Sequence, residues 1–266
     1  MTLTKLKVLI SNDDGVHAPG IQALAQAVAE VADVYVVAPS RERSGQSHSV
    51  TTTRPLRIVE LDAPGKIQCM LEVDGKPADC VKFAVTSMPG FKPDLVISGI
   101  NRGGNMAEDT LYSGTVGAAL EATLYGYPSM AFSLHHFETW HLDTQMYTEA
   151  AKSALQLVEL FARRPWGVQE EGLKCLNVNI PAIPFVDVKG VRHADVGKRF
   201  FQECFVKKTD PRGADYYWLD FGPHSFDTEM TAEVNLVRAG YVAVTPLRPS
   251  LQDHARQATL EQWLTP

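Results

Sequence analysis

The stretch Lys7-Val8-Leu9-Ile10-Ser11-Asn12-Asp13-Asp14-Gly15-Val16-His17-Ala18-Pro19-Gly20-Ile21 decides the reading of this chain. Val8–Ser11 is a short, nearly continuous apolar run, the pattern of a parallel strand covered on both faces. Two adjacent aspartates follow at a glycine turn. Pro19 then stands where a helix start tolerates a missing N–H. In an open α/β sheet, ligands bind outside the carboxyl ends of the strands, so Asp13 and Asp14 are expected in the ligand crevice. Two oxygen anions fixed on a strand end suit a hard divalent cation such as Mg²⁺ or Mn²⁺. Asn, Asp and Gly also form ordinary turns and helix caps, so this segment alone leaves both readings open.

Outward from it, further strands are expected at Val34–Ala38, Leu95–Ser98, Met130–Leu134 and Leu176–Ile180. Helical patterns lie between them at Ile21–Val31, Ala78–Ser87, Val116–Tyr125 and Thr144–Phe161. This alternation predicts right-handed βαβ crossovers and an α/β fold with a doubly wound, Rossmann-like, mostly parallel sheet. Leu56–Val59 and Ile67–Val73 break the rhythm and read as a hairpin at the sheet edge. After Pro184 the character changes. Gly190–Val196, Phe200–Thr209 and Tyr216–Phe221 read as strands, the last two joined by a turn at Asp210-Pro211-Arg212-Gly213. A helix around Thr231–Arg238, a strand Tyr241–Thr245 and a short tail with Trp263 complete the chain. Residues 1–184 are expected to form the α/β core and 185–266 a hairpin extension with a C-terminal helix and strand. A protruding, aromatic-rich hairpin carries more apolar surface than a lone ribbon hides, so it is expected to pack on another subunit.

With 266 residues, 45% of them apolar and 21% charged, the composition is that of an ordinary globular protein with room for a proper core. A formal net charge of −6 without any basic tract argues against a nucleic-acid coat. The cysteines, Cys69, Cys80, Cys175 and Cys204, are widely spaced and form no CxxC pair, which fits reduced, buried thiols. The first residues are too short and polar for a signal peptide, and no apolar run reaches a membrane span. A cytoplasmic protein is expected, binding neither membrane nor nucleic acid.

Three more segments carry chemistry. Ala38–Ser49, after the second strand, brings hydroxyls and arginines to the same sheet edge as Asp13. Ser98-Gly99-Ile100-Asn101-Arg102-Gly103-Gly104-Asn105 brings Asn101 out of a later strand beside glycines that permit close backbone approach. It is neither a dinucleotide fingerprint nor a P-loop. Tyr112-Ser113-Gly114-Thr115-Val116 leads into a helix whose free N–H groups and hydroxyls make a phosphate cradle, although Ser113 or Thr115 also suits a plain N-cap.

Together the strings Ser11–Gly20, Arg43-Ser44-Gly45, Ser98–Asn101 and Tyr112–Val116 resemble the SurE (survival protein E) family of metal-dependent nucleotidases. Pro77–Val81, Asn177–Pro181, Asp210–Gly213 and Gly240–Val242 extend the resemblance over nearly the whole chain, in the family's order. The resemblance implies one divalent cation per subunit, Mg²⁺ or Mn²⁺, on Asp13, Asp14, Ser44 and Asn101, with Asp13 and Asp14 catalytic. It implies substrate binding by Asn12, Asn101, Ser113, Gly114 and Thr115, and hydrolysis of nucleoside 5′- or 3′-monophosphates. It further implies a homodimer or homotetramer that exchanges C-terminal segments. Arg102, Gly104, Met106 and Ala107 depart from the family's usual run, as does Lys76 before Pro77; the ligand set is unaffected.

The expected chemistry is electrostatic: the cation and the Ser113–Thr115 helix start share the charge that spreads over the phosphoryl oxygens. Water is the expected nucleophile, with an aspartyl-phosphate on Asp13 as the alternative. His17, His48, His135 and His136 are candidate general acids. Two rival classes are a nucleotide-binding regulatory module without turnover and a glycosyltransferase-like fold, the second of which lacks its Asp-x-Asp.

Overall fold

A computed structural model describes residues 5–138, 142–165, 174–200, 203–221, 225–226, 229–250 and 252–265. In chain order the elements of the first half are β1 (Lys7–Ser11), α1 (Pro19–Val28), β2 (Asp33–Pro39), β3 (Ile58–Leu61), β4 (Cys69–Val73), α2 (Pro77–Ser87), β5 (Leu95–Arg102), α3 (Asp109–Tyr112) and α4 (Gly114–Leu124). The second half holds β6 (Ser129–His135), α5 (Thr144–Arg163), β7 (Cys175–Pro181), β8 (Val191–His193), β9 (Arg199–Phe200), β10 (Glu203–Thr209) and β11 (Asp215–Phe221). It ends with β12 (Ser225–Phe226), α6 (Glu233–Arg238), β13 (Val242–Leu247) and α7 (Gln257–Leu264).

A nine-stranded sheet runs in the order β3-β4-β2-β1-β5-β6-β7-β13-β8. β1 pairs in parallel with β2 on one side and with β5 on the other, so the winding reverses between β1 and β5. Carboxyl ends of strands open into a crevice at such a switch point. Along β1 the side chains alternate: Val8 and Ile10 enter one hydrophobic core, Leu9 the other. α1 and α5 cover the first face, and α2 and α4 the second. α5 does so through a stripe at helical spacing, Tyr147, Ala150, Ala151, Ala154, Leu157, Val158 and Phe161. The α/β architecture therefore follows from burial on both faces of near-continuous apolar strands.

Several boundaries differ from the sequence reading. The strand expected to stop at Ser98 continues through Asn101 and Arg102, because the pairing with β6 shifts register between Ser98 and Asn101. Gly99 makes the shift possible: its φ is +133°, and a Cβ there would stand 2.3 Å from the Phe132 carbonyl oxygen. The edge hairpin expected before residue 74 is present as β3 antiparallel to β4. The strand expected over Phe200–Thr209 is divided between β9, which pairs with β12, and β10, with residues 201–202 outside the described set. β10 and β11 form a separate antiparallel hairpin, closed where Asp210 Oδ1 accepts from the N–H groups of Arg212 and Ala214. β13 enters the main sheet, antiparallel to β7 and parallel to β8. The tail around Trp263 is helical, as α7, and both Trp263 and Leu264 are exposed.

Candidate active site

Asp13 and Asp14 leave β1 at the switch point and turn to opposite sides of it. Asp13 is 3% exposed and points to α4, where its Oδ1 accepts the Thr115 hydroxyl and its Oδ2 the Thr115 backbone N–H at 3.2 Å. Its carbonyl oxygen accepts from Arg43 N at 2.7 Å, tying β1 to the loop after β2. Asp14 is partly exposed, and its Oδ2 accepts from the backbone N–H of Arg102 at 3.0 Å, tying β1 to the end of β5. Burial pushes the Asp13 carboxyl above the usual carboxylate range against the Thr115 bonds that lower it. Burial, and then the charge of Asp13, push Asp14 up to about 6.

The remaining expected site residues lie around this pair. Asn12 is fully buried; its Nδ2 donates to Gly15 O at 2.8 Å and braces the turn, while its Oδ1 has no hydrogen-bond partner among the described residues. Asn101 Nδ2 donates to Gly103 O at 2.8 Å, which fixes which end of that amide is the oxygen. Ser44 is exposed, and its hydroxyl donates to Glu42 Oε1 at 3.0 Å. Ser113 is the N-cap of α4, its Oγ accepting from Val116 N at 3.0 Å. The anion at this helix start is thus the Asp13 carboxylate itself, a favourable place for negative charge. Gly114 keeps that approach open, since a Cβ there would sit 2.9 Å from Asp13 Cβ and Oδ2.

No three His, Cys, Asp or Glu side chains gather into a metal cluster among the described residues. A cation at Asp13 and Asp14 would therefore draw on neutral oxygens for the rest of its shell, as hard divalent ions do. Each of the candidate general acids has a neighbour of its own. His17 is exposed and lies 3.6 Å from Glu72, His48 pairs with Glu121, His135 Nδ1 accepts from Gly104 N, and His136 Nδ1 from Glu138 N.

Two features escaped the sequence. A cavity of about 350 Å³ opens beside Asp14, lined by Pro19, Glu42, Arg102, Leu142 and Tyr147 among others. Burial and the charge of Asp14 push the Tyr147 phenol up to about 12. In the sequence Tyr147 is one position of an apolar helical stripe, which hides its proximity to Asp14. The second is the pairing of His48 with Glu121, 73 residues apart.

Comparison with known proteins gives one consistent result. The family model described as "Survival protein SurE" matches residues 8–203. The "5'-nucleotidase SurE" of Symbiobacterium thermophilum is 41% identical over 261 residues, covering 96% of this chain and 97% of its own. That of Geobacter metallireducens is 42% identical over 258 residues, covering 97% of each. Among solved structures, the SurE protein from Aquifex aeolicus superimposes with a TM-score of 0.80 at 38% identity, covering 97% of this chain and 99% of its own.

Proposed function

The chain belongs to the SurE family and is a 5′-nucleotidase, and from that premise we propose that it hydrolyses nucleoside 5′- and 3′-monophosphates with one divalent cation, Mg²⁺ or Mn²⁺, per subunit. Asp13, Asp14, Ser44 and Asn101 hold that cation in this reading. The observation that carries it is the meeting of β1 and β5 at the switch point, where Arg102 N binds Asp14 Oδ2 and brings Asn101 beside the paired carboxylates. The donor set fits: every ligand is oxygen, and two carboxylates neutralise a divalent charge without repelling a phosphate. Bound there, the cation supplies Lewis-acid polarisation of the phosphoryl group and a lowered pKa for water.

The protein's own residues divide the remaining work. Thr115 and Gly114 act through Asp13, whose carboxylate occupies the start of α4, with Ser113 capping that helix. Thr115 donates to both Asp13 oxygens and fixes the carboxylate in place, with a second lone pair on each oxygen left for the cation; water is the nucleophile in this reading. Asn12 holds the turn that presents both carboxylates. The phosphoryl group is received on the Asp14 side, where the cavity beside Tyr147 has room for the nucleoside.

The test is phosphate release from 5′-AMP and 3′-AMP by the full chain. Activity should vanish with EDTA, return with Mn²⁺ or Mg²⁺, and fall about 10²–10³-fold in Asp13→Asn. Full turnover in EDTA, or an unimpaired Asp13→Asn enzyme, rejects the cation assignment.

The same reading makes the working form a homodimer or homotetramer. Its support is the β10–β11 hairpin, on which Phe205, Tyr217 and Trp218 are 70%, 58% and 66% exposed, far more apolar surface than one ribbon keeps in water. Among the described residues no helix is long and apolar enough to cross a membrane.

A further inference from the structure

The loop after β2 runs from Asp13 to α4 and is pinned at both ends. At the near end Arg43 N donates to the Asp13 carbonyl at 2.7 Å. At the far end Ser47 donates from its N–H to Tyr112 O at 2.9 Å and from its hydroxyl to Leu111 O at 2.6 Å. The next residue, His48, brings Nε2 to 2.5 Å from Glu121 Oε2 on α4. Glu121 is 3% exposed, and its other oxygen takes Lys82 Nζ of α2 at 2.7 Å. Lys82 in turn donates to the Tyr125 hydroxyl at 3.2 Å. Burial alone would raise the Glu121 carboxyl, yet His48 and Lys82 hold it below its ordinary value.

A buried carboxylate is costly unless its partners are well placed, as His48 and Lys82 are here. Gly117, one turn before Glu121, lets helix and loop touch: a Cβ there would stand 2.9 Å from His48 Cα and from Ser47 O. Ser44 lies between the two pins. It is exposed, and its hydroxyl donates to the exposed side chain of Glu42. The pins therefore decide where its oxygen stands relative to Asp13 and to the Ser113–Thr115 helix start.

We propose that His48, Glu121 and Lys82 form a latch that holds the Ser44 loop against α4, making His48 and Glu121 positioning residues for the divalent cation. The proposal rests on the assignment of that cation to Asp13, Asp14, Ser44 and Asn101. Groups bonded directly to a metal ligand commonly set its affinity by about 10–100-fold by fixing the ligand's orientation; His48 and Glu121 act further out, by fixing the backbone that carries Ser44.

The test is Mn²⁺ binding to the full chain, followed by the electron paramagnetic resonance signal of free Mn²⁺, for wild type, Asp13→Asn, His48→Ala, His48→Gln and Glu121→Gln. His48→Ala should weaken Mn²⁺ binding about 10–100-fold while its unfolding midpoint stays close to that of wild type. His48→Gln, which places an amide N–H near the imidazole position, should recover part of that affinity. Wild-type affinity in both His48→Ala and Glu121→Gln overturns the latch alone. Unaltered affinity in Asp13→Asn overturns the cation assignment and the latch with it. A loss in His48→Ala that parallels a loss of folded protein, with no recovery in His48→Gln, also overturns it.

Discussion

Thr115 donates both its backbone N–H and its hydroxyl to the carboxylate of Asp13, a residue 102 positions earlier in the chain. This pair of hydrogen bonds locks the β1 aspartate onto the start of α4. It makes one rigid unit of two loops that the chain brings together only through the sheet.

Loss of the Thr115 hydroxyl should therefore unfix Asp13 without emptying the core. In Thr115→Val the expected fall in kcat for AMP is about 10–100-fold, the range for a residue bonded to a metal ligand, the role proposed for Asp13. Thr115→Ser, which keeps the donor, should retain most of the activity. Steady-state phosphate release from both variants checks this; equal activity in Thr115→Val and wild type would show that the hydroxyl is idle.

Gly114→Ala should damage activity more than stability. Its Cβ would sit 2.9 Å from Asp13 Cβ and Oδ2, so either the carboxylate or the helix start must move by several tenths of an ångström. Displacements approaching 1 Å at a reacting centre cost about 10²-fold in rate. Helix propensity meanwhile favours Ala over Gly. Kinetics and thermal unfolding of the same preparation separate the two effects.

Glu233 gives the fold a pH dependence of known sign. It is fully buried on α6, accepting from Ala107 N with one oxygen and from Thr245 Oγ1 at 3.0 Å with the other. Burial pushes its carboxyl from 4.5 up to about 7. The folded state thus binds a proton that the unfolded chain releases, so this group's stabilisation is complete below about 4.5 and is lost as the pH rises to about 7. The loss is on the order of 3 kcal/mol. Glu233→Gln, whose amide oxygen can accept from Ala107 and whose NH₂ can donate to Thr245, should flatten the decline. Urea denaturation at several pH values between 4.5 and 8 measures it.

The β10–β11 hairpin should carry assembly. Replacing Phe205, Tyr217 and Trp218 with Ser removes exposed apolar surface and touches nothing near Asp13 or Asp14. A smaller mass in light scattering, with wild-type ellipticity, is the expected outcome. An unchanged mass would move the subunit contact to another face.

Much of this was legible in the chain because the signals are local. Val8–Ser11 and Val34–Ala38 announce covered parallel strands by their own apolar runs, and Asp13-Asp14-Gly15 announces a turn at a strand end. The apolar run ends at Ser98 and so predicts Asn101 in the loop beyond the strand, whereas the structure keeps it in β5. The register shift that keeps it in β5 depends on Gly99 passing close to Phe132 on the next strand, a contact with no trace in the local pattern. His48 is one of four histidines that the sequence offers as candidate general acids, and its partner Glu121 is an unremarkable helical residue until α4 is laid beside the loop. Tyr147 was hidden for the same reason, one more apolar position on α5.

The sequence by itself determined the alternation of strands and helices, the two carboxylates at the first strand end and the edge hairpin. Apolar periodicity and turn chemistry act over a few neighbouring residues. Only the tertiary structure decided that winding reverses between β1 and β5, that Asp13 fills the start of α4, that His48 meets Glu121, and that β13 joins the main sheet. Each of these depends on residues tens to hundreds of positions apart, and the energy that selects them is the burial and pairing of whole elements.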